Sequence, residues 1–119
     1  MSESLAGLNK NTPSYSTDEV FTGKYWIDGK PIYRKTVNVG AMPNGTQSTA
    51  KFVPHNISNI GDVVSISGFA KGSTDWIPLP RTDTTYYIGI YVTATNIVLN
   101  ATTDQSARSG YVTLEYTKQ

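Results

Sequence analysis

The feature that most constrains this chain is an Asp28-Gly29 pair set between two aromatic-rich runs. Asp-Gly favours a two-residue hairpin turn, because both central residues of that turn need positive φ. Such a turn would place Trp26 opposite Pro31, at a position where the missing N–H of proline costs no ladder hydrogen bond. Trp26 could then pack across the hairpin on the proline ring. The sequence therefore predicts a β-hairpin organised by Trp26, Asp28, Gly29 and Pro31.

The composition is that of strands and turns. Val, Ile and Thr together supply 34 residues, whereas Leu and Ala supply only 12, a bias that disfavours helices. Alternating apolar and polar residues predict strands at 33–39, 51–53, 62–70, 86–94, 96–101 and 111–118, with turn-rich loops at 40–49, 71–85 and 102–110. We therefore expect an all-β antiparallel sandwich or jelly-roll-like domain of six to eight short strands.

The 119 residues suit one domain, which we place at 15–119 after a flexible N-terminal arm at 1–14. Ser16 and Glu19 have the spacing of a capping box, which predicts one short helical turn. The arm is polar and resembles no secretory signal, and no apolar run has the length of a membrane span.

Little in the sequence predicts catalysis, and we expect a non-enzymatic protein without cofactor or metal. The 10 basic and 9 acidic residues create no strong field, which argues against binding of nucleic acid or attachment through a basic membrane patch. Membrane insertion is not expected, because the sequence has no apolar run of sufficient length. There is no Cys, and His55 is the single His. We expect His55 either to be a solvated loop residue or to meet its copies around an ion on a three-fold axis.

One segment, 75–83, has the composition of a ligand-contacting loop. Trp76 offers a flat face for stacking on a sugar, and nearby charged groups could bind its hydroxyls. The candidate ligand-binding residues are therefore Asp75, Trp76, Arg81 and Asp83. The simpler alternative, which we prefer at this point, is that Trp76 folds back to close one end of the sandwich.

A second surface is predicted from exposed tyrosines. Tyr87, Tyr91 and Thr93 lie opposite the apolar face of strand 86–94, and Tyr111 begins another strand. A sheet face that bears Tyr instead of charge suits a subunit interface, although ordinary half-exposed tyrosines explain it equally well.

Several stretches together form an ordered pattern: Y-S-T-D-E at 15–19, W-I-D-G-K-P-I-Y-R-K-T at 26–36, N-I-S-N-I at 56–60 and V-T-L-E-Y-T-K at 112–118. Over about Tyr15 to Lys118 the chain resembles a small β-domain found near the C-terminus of bacteriophage tail-fibre and other virion appendage proteins. The W-I-D-G-K-P-I-Y stretch is the specific part of this resemblance.

The resemblance implies a virion structural protein that is assembled in the bacterial host cytoplasm, is often homotrimeric, and contacts the host surface at a fibre tip. We expect the contacted molecule to be a glycan. No shaft or attachment domain accompanies the domain, so the chain is either an isolated domain or a complete small protein. One alternative is a head or tail decoration protein whose residues 1–14 dock on another virion protein, without receptor binding. A further alternative is a stand-alone glycan-binding module.

Overall fold

The computed structural model describes residues 13–45, 50–82 and 87–119, and throughout these ranges the regular secondary structure is β. The strands are β1 (Val20–Tyr25), β2 (Pro31–Ala41), β3 (Lys51–Pro54), β4 (Ile60–Lys71), β5 (Trp76–Leu79), β6 (Arg81–Thr82), β7 (Tyr87–Val92), β8 (Asn96–Ala101) and β9 (Ser109–Lys118). They form a five-stranded sheet in the order β1-β2-β9-β4-β5 and a four-stranded sheet in the order β3-β8-β7-β6. Every pairing is antiparallel, so the predicted all-β fold is confirmed.

The two sheets share one apolar core, as expected for a sandwich. Alternation along β9 turns Val112, Leu114 and Tyr116 inward, and all three are fully buried. The four-stranded sheet contributes Ile88 and Ile97 to the same core, and both are likewise fully buried. Alternation with a period of two thus supplies the apolar core from both sheets.

The connection between the sheets at one edge differs from the prediction. The segment 71–85 was expected to be a loop, but β5 and β6 lie within it and are separated by Pro80 alone. Ile77 and Leu79 point into the core, so the alternation is present but spans only four residues. Pro78 is tolerated inside β5 because this strand is at the edge of the five-stranded sheet.

The hairpin that joins β1 to β2 is present, but its register differs from the prediction. Tyr25, and not Trp26, is the partner of Pro31. The Trp26 N–H donates to the Lys30 carbonyl at 2.9 Å, and the Gly29 N–H donates back to the Trp26 carbonyl at 2.9 Å. The loop therefore has three residues instead of two, and the predicted pairing of Trp26 with Pro31 is wrong.

Backbone conformation explains the longer loop. Gly29 has a φ of 85°, whereas Asp28 is not in the positive-φ region that a two-residue turn of the expected type requires. Asp28 Oδ1 instead accepts the Lys30 N–H at 2.9 Å, and this bond between side chain and backbone stabilises the turn. Asp-Gly is compatible with both loops, and the three-residue version ends in a glycine bulge.

The segment before β1 contains bends, and the predicted helical turn at 16–19 is absent. Ser16 Oγ accepts the Asp18 N–H at 3.0 Å, while the Ser16 carbonyl accepts the Thr36 N–H at 2.9 Å. Glu19 does not cap a helix, because its side chain bonds to β9. Most of the predicted arm, residues 1–12, lies outside the described residues.

Candidate functional site

Aromatic side chains lie on the solvent-facing side of the five-stranded sheet. In the pairing of β4 with β9, Phe69 is opposite Tyr111, and in the pairing of β4 with β5, Lys71 is opposite Trp76. Their neighbours Ala70, Ile77 and Val112 point into the core, so the alternation sends these rings outward. Tyr15, from the segment before β1, joins them. We call the surface formed around Tyr15, Phe69, Trp76 and Tyr111 the aromatic groove.

The rings of the aromatic groove are open to solvent. Trp76 is 64% exposed, Tyr15 61%, Phe69 41% and Tyr111 40%. The rings of Phe69 and Tyr111 lie 5.9 Å apart with an interplanar angle of 36°. A cluster of exposed rings is costly to maintain in water and is typical of a binding surface. The preferred prediction that Trp76 closes the end of the sandwich is therefore wrong, because β5 presents it to solvent.

Two adjoining cavities make up the groove. The Trp76 cavity, of about 480 Å³, is lined by Asn38, Lys71, Trp76 and Ser109 together with Phe69 and Tyr111. The Tyr15 cavity, of about 380 Å³, is lined by Tyr15, Thr36, Ser67 and Thr113, again with Phe69 and Tyr111. Because both cavities share the last two residues, they form one continuous depression across the sheet.

Three glycines contribute to the lining, and two of them lie where β4 and β9 pass close together. Gly110 belongs to the Trp76 cavity, and a Cβ there would overlap the Phe69 carbonyl oxygen. Gly68 belongs to the Tyr15 cavity, and a Cβ there would overlap the Tyr111 carbonyl oxygen. Bare backbone at these positions lets β4 and β9 approach closely beneath the exposed rings.

Polar groups accompany the rings. Asn38 Oδ1 accepts the Gly40 N–H at 3.0 Å, and its amide nitrogen has no hydrogen-bond partner among the described residues. The hydroxyl groups of Thr36 and Thr113 hydrogen bond to each other at 2.9 Å. Lys71 Nζ lies 5.3 Å from the centre of the Trp76 ring. The groove therefore combines flat apolar faces with a few hydrogen-bonding groups, the arrangement expected of a small-ligand site.

An ion pair holds Tyr15 at the edge of the groove. Arg34 donates through Nη2 to Glu115 Oε2 at 2.6 Å, and its guanidinium carbon lies 4.6 Å from the centre of the Tyr15 ring. Arg34 Nη1 also donates to the Ser14 carbonyl at 3.2 Å. These contacts hold the segment before β1 against the sheet. From the sequence, this segment is predicted only as the start of the domain.

Of the predicted ligand-binding residues, Asp75 serves to position the loop before Trp76. Arg108 Nη2 donates to Asp75 Oδ2 at 2.7 Å, and the Gly72 N–H donates to the Asp75 carbonyl at 2.9 Å. The hydrogen bond from Arg108 is the main cause that holds the pKa of Asp75 below its ordinary value. This carboxylate is therefore already engaged by a cation of the same chain.

Of the other two predicted ligand-binding residues, Arg81 does not line the groove. Arg81 lies on β6, at the edge of the four-stranded sheet, although its charge also contributes to the lowered pKa of Asp75. Asp83 lies outside the described residues. Of the described residues in the predicted group, Trp76 is the one that lines the groove, and its neighbours there come from β2, β4 and β9.

The predicted interface residues do not form one surface. Tyr87 and Tyr91 are exposed on the outer side of the four-stranded sheet, whereas Tyr111 is on the outer side of the other sheet. The two outer sides of a sandwich face opposite directions, so these residues cannot contact the same neighbour. Thr93 follows β7 in the turn to β8, where its Oγ1 accepts the Asn96 N–H at 2.9 Å.

Phe52 belongs with the exposed tyrosines of the four-stranded sheet. It is 60% exposed, and both Phe52 and Tyr91 are cross-strand neighbours of Val98. Val98 is fully buried although it is on the outer side. We call the surface formed by Phe52, Tyr87, Tyr91 and Val98 the opposite face.

His55 has a structural role that neither expectation included. It is 1% exposed, Nδ1 accepts the Ile57 N–H at 3.1 Å, and Nε2 lies 2.9 Å from the Thr93 carbonyl oxygen. Because a carbonyl can only accept, Nε2 carries the proton and the ring is the neutral tautomer. With both nitrogens engaged, His55 is neither a solvated loop residue nor a free metal ligand.

Sequence reasoning missed Phe69, Tyr15, Lys71 and Asn38 as parts of the candidate site. A signal for two of them was present: the turn at 72–75 is short enough to fold β4 back on β5, which brings Lys71 and Phe69 beside Trp76. The sequence contained no comparable signal for Tyr15 or Asn38. The position of Tyr15 depends on its contact with Arg34, and that of Asn38 depends on the bulge in β2.

Within the described ranges, no three His, Cys, Asp or Glu side chains are grouped as a metal site would require. The same part of the chain contains no helix long and apolar enough to cross a membrane. Comparisons with protein-family models, curated proteins and solved structures gave no significant match.

Proposed function

We propose that this chain is a non-enzymatic domain of a bacteriophage virion appendage that contacts a saccharide of the bacterial surface through the aromatic groove. The virion assignment is supported by the ordered sequence stretches from 15–19 to 112–118. The saccharide assignment is carried by one observation, the continuous row of exposed rings across the solvent side of the five-stranded sheet.

The chemistry of the groove matches that of a sugar. A pyranose presents C–H groups on its faces and hydroxyl groups at its rim, so it stacks on an aromatic ring while it hydrogen bonds at its edge. Trp76 and Tyr111 offer faces, and Asn38 and Ser109 offer hydrogen-bonding groups within the same cavity. Both cavities fall within the roughly 300–1,000 Å³ usual for ligand sites.

The groove also changes where contact with the host is proposed. The sequence predicted a ligand-contacting loop at 75–83, but Trp76 is on a strand and its neighbours come from β4 and β9. A sheet face is more rigid than a loop, so its rings are held in place before the ligand arrives. This preorganisation lowers the entropic cost of binding.

We further propose that the subunits of a homotrimer pack through the opposite face. Exposed Phe52, Tyr87 and Tyr91 would then be covered by neighbouring copies. Since this face points away from the aromatic groove, assembly leaves the groove open. The three grooves of one trimer raise the effective affinity for a repetitive polysaccharide well above that of a single site. Residues 1–14 remain the proposed link to other virion proteins.

The test is binding to immobilised bacterial capsular and wall polysaccharides, with Trp76→Ala and Phe52→Ala compared. These two residues are exposed to similar extents but lie on opposite sides of the sandwich. Affinities are compared per single site, so that avidity does not contribute. We expect the wild-type protein to bind, Trp76→Ala to lose at least about tenfold without a lower thermal midpoint, and Phe52→Ala to keep the wild-type single-site affinity.

Two results would overturn the proposal. If no polysaccharide binds, the groove is not a saccharide site and the decoration-protein alternative gains support. If both variants bind as the wild type does, saccharide binds elsewhere on the protein. Binding by the groove without incorporation into particles would instead favour the stand-alone module.

A further inference from the structure

We infer that the aromatic groove selects an anionic saccharide, one that carries a carboxylate or a phosphate group, and that Lys71 binds the anion. This inference rests on the proposed function and specifies the class of saccharide. It begins from the charges that surround the groove.

Lys71 is the cation of the Trp76 cavity, and it has no ion pair among the described residues. The two arginines at the margins of the groove are engaged: Arg34 pairs with Glu115 at 2.6 Å, and Arg108 pairs with Asp75 at 2.7 Å. The charge of Lys71 is therefore available to a ligand, whereas those of the arginines are committed to the fold.

Among the residues that the structure describes, no carboxylate lines either cavity of the aromatic groove. The nearest acidic group in sequence to Trp76 is Asp75, whose oxygen already accepts from Arg108. An anion placed beside Trp76 would thus meet one ammonium group and neutral hydrogen-bonding groups. It would not meet an unpaired negative charge. A neutral sugar would leave this charge unused.

Lys71 Nζ is held weakly enough by its neighbours to move when a ligand binds. Nζ lies 5.3 Å from the centre of the Trp76 ring, close enough for a cation–π interaction. At an exposed site such an interaction is weak. A carboxylate or phosphate forms a stronger, charge-assisted hydrogen bond with an ammonium group. The anion can therefore draw Nζ away, which frees the Trp76 face for the sugar ring.

Neighbouring groups complete the anion site. Asn38 and Ser109 line the same cavity as Lys71, and the Asn38 amide nitrogen has no partner in the described part of the chain. An amide N–H and a hydroxyl group can both donate to the remaining anion oxygens. The site thus offers one charge and two neutral donors beside a stacking ring.

The experiment compares each acidic polysaccharide with its neutralised form. Uronate-containing capsular polysaccharides are paired with their carboxyl-reduced products, and phosphate-containing wall polymers are paired with their dephosphorylated products. These two arms distinguish the source of the anion. The variants are Lys71→Gln, which removes the charge, and Lys71→Arg, which keeps it. Lys30→Gln serves as the control, because Lys30 is an exposed cation in the β1–β2 hairpin.

We expect the acidic forms to bind more tightly than their neutralised products. Lys71→Gln should weaken binding of the acidic form about tenfold and leave the neutral product unaffected, because one charge-assisted hydrogen bond is lost. Lys71→Arg and Lys30→Gln should bind as the wild type does, and added salt should weaken only the acidic interaction.

The outcomes separate this inference from the proposed function. Equal binding of acidic and neutral forms, with no effect of Lys71→Gln, overturns the anionic assignment, while a loss in Trp76→Ala would still support the saccharide groove. Equal losses in Lys71→Gln and Lys30→Gln also overturn it, because they indicate a non-specific effect of charge. Failure of every polysaccharide to bind overturns the proposed function and this inference together.

Discussion

The hydroxyl group of Tyr116 donates a 2.7 Å hydrogen bond to Glu19 Oε1, and Lys118 Nζ lies 2.8 Å from the same oxygen. This contact joins the segment before β1 to the last strand. It acts together with the Arg34–Glu115 pair, which places Tyr15 at the edge of the aromatic groove. One boundary of the groove therefore depends on ionic contacts between the two ends of the described chain.

The first prediction concerns the pH dependence of stability. Burial raises the pKa of the Glu19 carboxyl, but hydrogen bonds from Lys118 and Tyr116 outweigh it, so this pKa lies below its ordinary value of 4.5. A carboxyl with a lowered folded-state pKa stabilises the fold fully above its unfolded pKa, and this contribution is lost as the pH falls through the folded value. Because the pair is partly exposed, we expect a contribution of about 0.5–1 kcal/mol.

Urea unfolding of the wild type and Glu19→Gln at pH 7 and pH 3 measures this contribution. The two proteins should differ at pH 7, and the difference in their free energies of unfolding should shrink as the pH falls below the ordinary carboxyl pKa of 4.5. Asp62→Asn is the control, because Asp62 is an exposed acid at the start of β4. If Glu19→Gln and Asp62→Asn have the same pH profile, the contact with Tyr116 does not stabilise the fold.

The second prediction concerns His55. His55→Ala removes a buried ring and leaves the Ile57 N–H and the Thr93 carbonyl without their partners. We expect a loss of about 2–4 kcal/mol in the free energy of unfolding, measured by chemical denaturation. Ser58→Ala, in the exposed turn that follows, should change it by less than about 0.5 kcal/mol.

Metal ions provide an independent check on His55. Because both ring nitrogens are engaged within the chain, Zn²⁺ or Ni²⁺ should not raise the thermal midpoint of the wild type. A midpoint that rises with the metal, and does so only while His55 is present, would contradict the structural role and restore the expectation of a shared ion.

The third prediction concerns assembly through the opposite face. Light scattering at micromolar concentration should report about three times the 13.0 kDa chain mass. Tyr91→Arg should dissociate the assembly, because a charge buried in an apolar interface without a partner is costly. Tyr111→Arg, on the aromatic groove, should leave the mass unchanged. A stable 13.0 kDa species in the wild type would contradict the trimer, and dissociation by Tyr111→Arg alone would move the interface to the groove.

Local patterns predicted much of the architecture, because a strand with one buried side must alternate. The clearest case is β9, where Val112, Leu114 and Tyr116 recur at every second residue and all are buried. The β5 strand escaped prediction because it has four residues, one of them a proline, and so offers too few repeats to establish a period. The hairpin at Asp28-Gly29 was recognised but misregistered by one residue, because the same pair fits two loop lengths.

The sequence by itself determined that the chain forms antiparallel strands, which residues of the longer strands are apolar, and that Trp76 is flanked by turn-forming and charged residues. Only the tertiary structure decided which aromatic residues share a surface. Tyr111 and Tyr87 look alike in sequence, yet they occupy opposite sides of the sandwich because β9 and β7 belong to different sheets. Strand order is set by pairings between distant segments, such as β2 with β9, and a period of two along one strand contains no information about its neighbours. The aromatic groove is a product of those pairings.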